Sequence, residues 1–177
     1  MNRKYIIAAA LGSAALALDQ AAKFMAQAWL SPLGSFDVID GWLELRYAEN
    51  TGIAFSLFNQ LPPAYKLPLF TAVTLTAVTI IVHLLRQAPP RAVRLPAALG
   101  LVLAGALGNL VDRFHWPGVV DFIRVQAWTL AGYSWPIFNV ADMAITSGIV
   151  LLLIDTLCAR EPDEKTTSLL PGSETTT

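Results

Sequence analysis

Charge is scarce in this chain. Asp, Glu, Lys and Arg make up 14% of its 177 residues, and the two signs nearly cancel to a net charge of −1. That removes the basic surface on which nucleic-acid binding depends. Cysteine occurs once, at Cys158, so no disulfide can form within the chain. Cys158 ends an apolar run near the C-terminus, a place that suits an inert thiol rather than a lipid-modified one. His83 and His115 stand alone, without a His-Glu-x-x-His or comparable spacing, so neither a metal site nor any other cofactor is expected. Ser13 lies deep in an apolar segment with no histidine near it, which argues against a serine nucleophile. No internal repeat is visible, and the length is that of one domain.

What the chain has instead is apolar length. Hydrophobic residues account for 55% of it, more than a soluble domain carries. Four stretches, about 5–28, 67–85, 95–113 and 138–158, each approach the ~20 residues that a helix needs to cross a bilayer. Arg3 and Lys4 ahead of the first stretch also suit the start of a cleaved secretory signal. That stretch, however, runs on past Asp19 and Lys23 to about twice the length of a signal's apolar core, so a retained helix is expected. The fold class that follows is mainly α and integral to the membrane. One four-helix domain spans residues 1–160, with β-like outer segments at about 36–60 and 115–137. The Thr-, Ser- and Glu-rich stretch 161–177 is expected to be a disordered tail.

Basic residues set the expected orientation. Arg3, Lys4, Arg86, Arg91, Arg94, Arg160 and Lys165 flank one side of the four stretches, and the longer segments on the other side carry only Arg46, Lys66, Arg113 and Arg124. The positive-inside rule then places both termini in the cytoplasm. All five tryptophans (Trp29, Trp42, Trp116, Trp128 and Trp135) fall in the two outer segments. Indole favours the headgroup layer, so these segments are expected to lie on the membrane. Within them, Leu43, Leu45 and Tyr47 alternate with Glu44 and Arg46, the pattern of a short half-buried strand whose start is punctuated by Gly41. Val119–Val125 and, more weakly, Trp128–Phe138 are also strand-like, and a small sheet on the outer leaflet accounts for all three.

The polar residues within the apolar stretches share one depth. Counting from Tyr5 at ~1.5 Å per residue, Asp19 is ~21 Å into a core of ~30 Å, and Lys23 is a turn further on. The third helix runs outward and brings Asn109, Asp112 and Arg113 to its outer end; the fourth runs inward and brings Asn139 and Asp142 to its outer start. Asn50 and Asp121 belong to the outer segments themselves. Ionisable groups at such a level are site candidates, yet several have structural readings as well. Asp19 and Lys23, four apart, can neutralise each other. Asn109 and Asn139 can be hydrogen-bond glue between helices. Arg113 can anchor the third helix at the interface, and Asp112 can pair with Arg113 or cap a turn. Asp121 and Asp142 have no basic neighbour that helical spacing would bring against them, since Arg124 follows Asp121 in a strand- or loop-like stretch. Two carboxyls brought together away from water share a proton and offer a general base beside a general acid, as hydrolysis of a peptide requires. Intramembrane carboxylates equally serve ion- or proton-coupled transport.

Five patches discriminate between these readings: Asp19-Gln20-Ala21-Ala22-Lys23; Asn50-Thr51-Gly52-Ile53-Ala54-Phe55; Gly105-Ala106-Leu107-Gly108-Asn109-Leu110-Val111-Asp112-Arg113; Val119-Val120-Asp121-Phe122; and Phe138-Asn139-Val140-Ala141-Asp142. In this order, on a four-helix chain of this length, they closely resemble signal peptidase II. The one departure is Ala104, where a second glycine is common. The resemblance implies catalytic roles for Asp121 and Asp142, and site-lining or supporting roles for Asp19, Lys23, Asn50, Gly52, Asn109, Arg113 and Asn139. It implies an aspartic endopeptidase that cuts the signal peptide from prolipoproteins just before a diacylglyceryl-modified cysteine. It also implies inhibition by globomycin and a place in the bacterial cytoplasmic (inner) membrane, with the site at the outer, periplasmic face. The partners expected are therefore lipidated prolipoproteins and membrane lipid, with the chain acting as a monomer. Two rivals make different predictions. A transporter needs polar residues continuing through the inner half of the helices, where this sequence has almost none, and a precursor-holding protein needs no aspartate.

Overall fold

The computed structural model describes residues 2–52, 62–126, 129–130 and 133–158. Expectations for Ile53, Ala54, Phe55, Trp128, Arg160, Lys165 and the tail fall outside the described residues. Among the described residues four helices are long and apolar enough to cross a membrane: α1 (Arg3–Leu33), α2 (Pro63–Gln87), α3 (Arg94–His115) and α4 (Val140–Cys158). A small sheet is also present, with strands β1 (Ser35–Ile39), β2 (Leu43–Asn50) and β3 (Val119–Val125) in the order β1-β2-β3; its third strand is β1 and not the Trp128–Phe138 stretch expected from the sequence. A two-stranded ribbon of β4 (Thr129–Leu130) and β5 (Tyr133–Ser134) follows it.

The middle of the bundle is α3. More than half of its most apolar window, 56%, is buried inside the protein, against 11% for each of the other three helices. Helices α1, α2 and α4 pack around it, and their outward faces keep apolar residues such as Leu18, Leu75 and Leu153 exposed for lipid. In a bilayer, helices gain no hydrophobic drive from meeting one another, so close backbone approach through small residues has to hold them. The crossings show this. A Cβ added at Gly100 of α3 would lie 2.5 Å from the Ala8 carbonyl oxygen of α1, and one added at Gly105 would overlap the Ala141 carbonyl of α4. At the end away from the sheet, the buried Lys4 ammonium donates to the carbonyls of Arg86 and Ala88, each at 2.7 Å. It thereby satisfies backbone acceptors that the end of α2 leaves open.

Helix α1 runs further than the apolar pattern indicates. It is α-helical over Arg3–Met25, π-helical over Ala26–Leu30 and α-helical again over Ser31–Leu33. Gly34, at φ 82°, ends it by donating its N–H to the Leu30 carbonyl at 2.7 Å, in a conformation that only glycine adopts cheaply. The chain then enters the β1–β2 hairpin, whose antiparallel register pairs Ser35 with Arg46 and Phe36 with Leu45. On its other edge β2 pairs with β3, Leu45 opposite Ile123, Ala48 opposite Asp121 and Asn50 opposite Val119, with an irregularity between Leu45 and Ala48.

The sheet is seated on the end of α1. Val120 and Phe122 of β3 are buried against Ala26 and Leu30, with Leu45 and Tyr47 packed on the same cluster. The alternation read from the sequence puts Glu44 on the opposite, polar face, yet Glu44 is only 4% exposed. Its cover is made of long side chains: Arg124 and Gln126 donate to one carboxylate oxygen at 3.0 Å each, and Arg46 donates to the other at 3.1 Å. The Gln126 hydrogen bond, followed by those from Ser35 and Arg124 and the charge of Arg46, holds this carboxyl below its usual pKa against the opposing effect of burial.

Candidate active site

The two sequence segments that carry the aspartates are fastened to each other by main chain. Phe138 donates to the Ile123 carbonyl at 3.0 Å, and its own carbonyl accepts from Phe122 at 3.1 Å and Ile123 at 2.8 Å. This edge pairing delivers β3, with Asp121, to the start of α4, with Asp142. Helix α4 begins at Val140, so Asn139 is its cap rather than part of it. The Asn139 side-chain oxygen accepts from the Asp142 N–H at 2.9 Å, and the Asp142 carboxylate accepts from the Asn139 N–H at 3.2 Å. This reciprocal pair is a capping box. The next free N–H of the helix, at Ala141, is taken by Asp19 of α1 at 2.7 Å.

Each of the four carboxylate oxygens of Asp121 and Asp142 accepts one amide hydrogen. Asn139 Nδ2 donates to Asp121 Oδ1 at 2.6 Å and Asn50 Nδ2 to Asp121 Oδ2 at 3.1 Å. Asn109 Nδ2 donates to Asp142 Oδ1 at 2.9 Å, and the Asn139 backbone N–H serves Asp142 Oδ2. No cation makes an ion pair with either aspartate among the described residues. Asp121 is buried, and its pKa is pushed up to about 7, first by loss of hydration and then by the neighbouring charge of Asp142. The hydrogen bonds from Asn50 and Asn139 and the charge of Lys23 oppose that rise without cancelling it. At neutral pH the pair therefore sits near the point of holding one proton between two carboxyls, and it can give and take a proton in the same step.

A second ionic cluster lies directly behind the first. Lys23 pairs with Asp19 at 2.9 Å and with Asp112 at 2.8 Å, and all three side chains are essentially without exposure. Asp112 also accepts from the Val120 N–H at 3.0 Å, which pins the residue beside Asp121. Gln20, not singled out in the sequence, reaches both Asp19 and Asp112 at 3.1 and 3.2 Å. Asp112 thus pairs with Lys23 and not with Arg113, a long-range choice that sequence spacing does not disclose. The two clusters are joined by Asn109. Its side-chain oxygen accepts from Lys23 at 3.0 Å and from Asn139 at 3.2 Å, so its NH2 is turned toward Asp142. Gly108 makes room for this arrangement, since a Cβ there would come within 2.5 Å of an Asp19 carboxylate oxygen.

Arg113 does its work on the backbone. It donates to the Asn109 carbonyl at 2.8 Å and to the Gly52 carbonyl at 3.2 Å, with its guanidinium 4.1 Å from the Phe70 ring. The Gly52 N–H in turn bonds the Asn50 side-chain oxygen at 3.1 Å, which turns the Asn50 NH2 toward Asp121. Phe70 is a second residue that sequence reasoning passed over; on an apolar helix nothing in its spacing separates it from its neighbours. All nine residues singled out from the sequence (Asp19, Lys23, Asn50, Gly52, Asn109, Arg113, Asp121, Asn139 and Asp142) meet in this one hydrogen-bonded assembly. Asp121, Asp142 and Asn50 open onto a cavity of about 570 Å³ that continues along α4 past Met143, Ile145 and Thr146 and is walled by Trp135 and Pro136. Beyond Asn50 and the two aspartates its lining is mostly apolar, with Thr146 and Ser147 the other polar residues.

Comparison with known proteins gives the family of the chain. The sequence model of the signal peptidase (SPase) II family matches residues 11–158. A lipoprotein signal peptidase of Geobacter sulfurreducens is 39% identical over 155 residues, covering 88% of this chain and 94% of its own length. One from Syntrophus aciditrophicus is 37% identical over 157 residues, covering 88% and 94%. Among solved structures, a bacterial membrane enzyme determined by the in meso method at 2.3 Å superposes with a TM-score of 0.75 at 29% identity, covering 89% of this chain and 92% of that one. The chain is a multi-pass membrane peptidase and belongs to the signal peptidase II family.

Proposed function

We propose that the chain is an aspartic endopeptidase that removes the signal peptide from prolipoproteins, cutting just before a cysteine that already carries diacylglycerol. The observation that carries the reading is the pairing of Asp121 and Asp142 on one cavity, every carboxylate oxygen bonded by an amide and neither neutralised by a cation.

The reaction follows from that arrangement. The ionised carboxylate takes a proton from water, whose oxygen attacks the scissile carbonyl, while the protonated carboxyl gives its proton to the carbonyl oxygen. The tetrahedral diol then collapses. Its C–N bond breaks, a proton passes to the leaving nitrogen of the lipidated cysteine, and the dyad returns to its singly protonated state. Asn50, Asn109 and Asn139 are positioning residues that hold both carboxyls in register through these steps. The apolar length of the cavity suits a signal-peptide helix received sideways from the bilayer, and lipid-soluble chains suit its open side. The same reading places the protein in the bacterial cytoplasmic membrane with both termini inside and the dyad at the outer face. It has the chain acting alone, without a cofactor, and makes globomycin its inhibitor.

The test is cleavage of a diacylglyceryl-modified prolipoprotein by the purified protein in detergent, beside Asp121→Asn and Asp142→Asn variants checked for folding. Signal-peptide release by the wild type alone supports the reading. Undiminished cleavage by either folded variant removes that aspartate from the mechanism.

A further inference from the structure

The cations at the sheet end of the bundle are not all treated alike. Lys23 has Asp19 and Asp112, and Arg46 and Arg124 share Glu44. Lys66, half-buried in the first turns of α2, has no hydrogen-bond or ion-pair partner among the described residues. It lines a second cavity, of about 230 Å³, together with Arg113, Thr51, Phe70 and Trp116, and no carboxylate lines it among the described residues. Arg113 spends two N–H groups on the carbonyls of Asn109 and Gly52, which leaves donors of its guanidinium unspent. The N-terminus of α2 adds the positive end of its helix dipole, with no acidic residue in its first turn to offset it. Two cations and a helix N-terminus thus face one small cavity, and the carboxylates whose charge reaches Arg113 (Asp112, Asp121 and Asp142) lie outside its lining.

We propose that this cavity binds the phosphate of an anionic phospholipid, gripped by Lys66 and Arg113, and that the bound lipid steadies the link from Arg113 through Gly52 and Asn50 to Asp121. The location selects a lipid over a free anion. The cavity lies where α2 begins and α3 ends, at headgroup level for two membrane-crossing helices, and Trp116 beside it is a residue type that favours that layer. Its floor is apolar, formed by Leu67 and Phe70, and below it the face of α2 is exposed at Val73, giving acyl chains a surface to follow. The site is separate from the cleft that holds the aspartates, which shares none of these lining residues. Only the coupling to turnover rests on the proposed activity; binding does not.

Two readouts keep those parts apart. The first is native mass spectrometry of the full chain released from nanodiscs that contain phosphatidylglycerol in phosphatidylcholine. The wild type and Lys66→Arg are expected to retain phosphatidylglycerol, and Lys66→Gln to lose it. Equal retention by wild type and Lys66→Gln, or none by the wild type, overturns the site. The second is kcat/KM for prolipoprotein cleavage in nanodiscs with and without phosphatidylglycerol. The wild type is expected to gain about fivefold or more from the anionic lipid. Lys66→Gln is expected to match the wild type in pure phosphatidylcholine and to gain nothing. An undiminished gain in Lys66→Gln overturns the coupling even if the lipid is retained. Inorganic phosphate added to phosphatidylcholine nanodiscs is expected to leave activity unchanged; a gain of the same size identifies a free anion as the ligand and overturns the lipid assignment. A wild type that retains phosphatidylglycerol but cleaves nothing leaves the site standing and counts against the proposed activity instead.

Discussion

Two carboxylate pairs lie side by side at the same level of this protein and are treated in opposite ways. Asp19 and Asp112 share the ammonium of Lys23; the other oxygen of Asp19 takes the Ala141 N–H, while the Asp112 oxygen that meets Lys23 also takes the Val120 N–H and its other oxygen takes Gln20. Asp121 and Asp142 receive amide hydrogens only. The first set shares one cation between its two carboxylates and makes a rigid joint between α1, α3, β3 and α4. The second is held in place as firmly but left with an uncompensated charge, which a proton has to supply. Burial alone therefore does not mark a reactive carboxylate; burial without a cation does. Asn109 allows the two to coexist, because its amide accepts on the Lys23 side and donates on the Asp142 side.

That contrast breaks most sharply by mutation. Asp121→Asn is expected to lower turnover by about a thousandfold or more. Its thermal unfolding midpoint in detergent should stay close to that of the wild type at neutral pH, since the pair already holds one proton there. A parallel loss of midpoint and activity would make Asp121 a structural residue like Asp19. Lys23→Met should do the reverse in emphasis: two buried carboxylates lose their counter-ion, at a cost of about 3–5 kcal/mol, seen as a marked drop in midpoint. A midpoint within a degree or two of wild type would show that the Lys23 cluster is not the joint described above.

The comparison is sharpened by pH. In the folded protein Asp121 keeps its proton up to about 7, whereas an unfolded aspartate releases it near ~4. The folded state thus binds more protons between those values, so stability should fall as pH rises across that interval and level off above it. The slope should vanish in Asp121→Asn. Over the same range kcat/KM should decline as pH passes about 7 and the shared proton is lost. A profile still rising beyond pH 8 would exclude a singly protonated dyad.

Two smaller effects bear on the supports. Gly105→Ala forces a methyl group into the Ala141 carbonyl and the Ile145 side chain, separating α3 from α4 just inward of the dyad. It should cost about 1–3 kcal/mol, with kcat reduced more than KM is raised. Glu44→Gln removes the centre of the sheet's surface ion cluster, whose partners Arg46 and Arg124 are 46% and 29% exposed. Water screens such pairs, so the loss should stay under about 1 kcal/mol by thermal unfolding, with activity intact.

How far the site was legible differs from residue to residue. Asp121 and Asp142 stand out because no helical neighbour neutralises them, Arg124 following Asp121 in a strand-like stretch, and Asp19 and Lys23 because they sit one turn apart in an apolar helix. Of the two readings that the sequence offers for Asp112, pairing with Arg113 fails, because its ion partner in space is Lys23 on another helix, while holding the local turn fits the bond it accepts from the Val120 N–H. Asn109 and Asn139 carry two readings in the sequence, glue between helices and support of the site, and their bonds across α1, α3, β3 and α4 and to the aspartates combine both. Glu44 was placed on a solvated face because alternation reports which side of a strand a residue occupies, and not what other side chains fold over it.

By itself the sequence determined the four membrane helices, the strand segments and the shared depth of the polar residues. Each of these follows from a local quantity: apolar length, alternation, or rise per residue counted from a helix end. Only the tertiary structure decided that α3 is the hub, that Asn139 caps α4 in place of lying within it, and which of the aspartates at that depth receive Lys23. Charges at one depth can be paired in several ways of similar local cost. The choice among them is made by which backbones approach closely enough, here through Gly100, Gly105 and Gly108, for one set of side chains to touch.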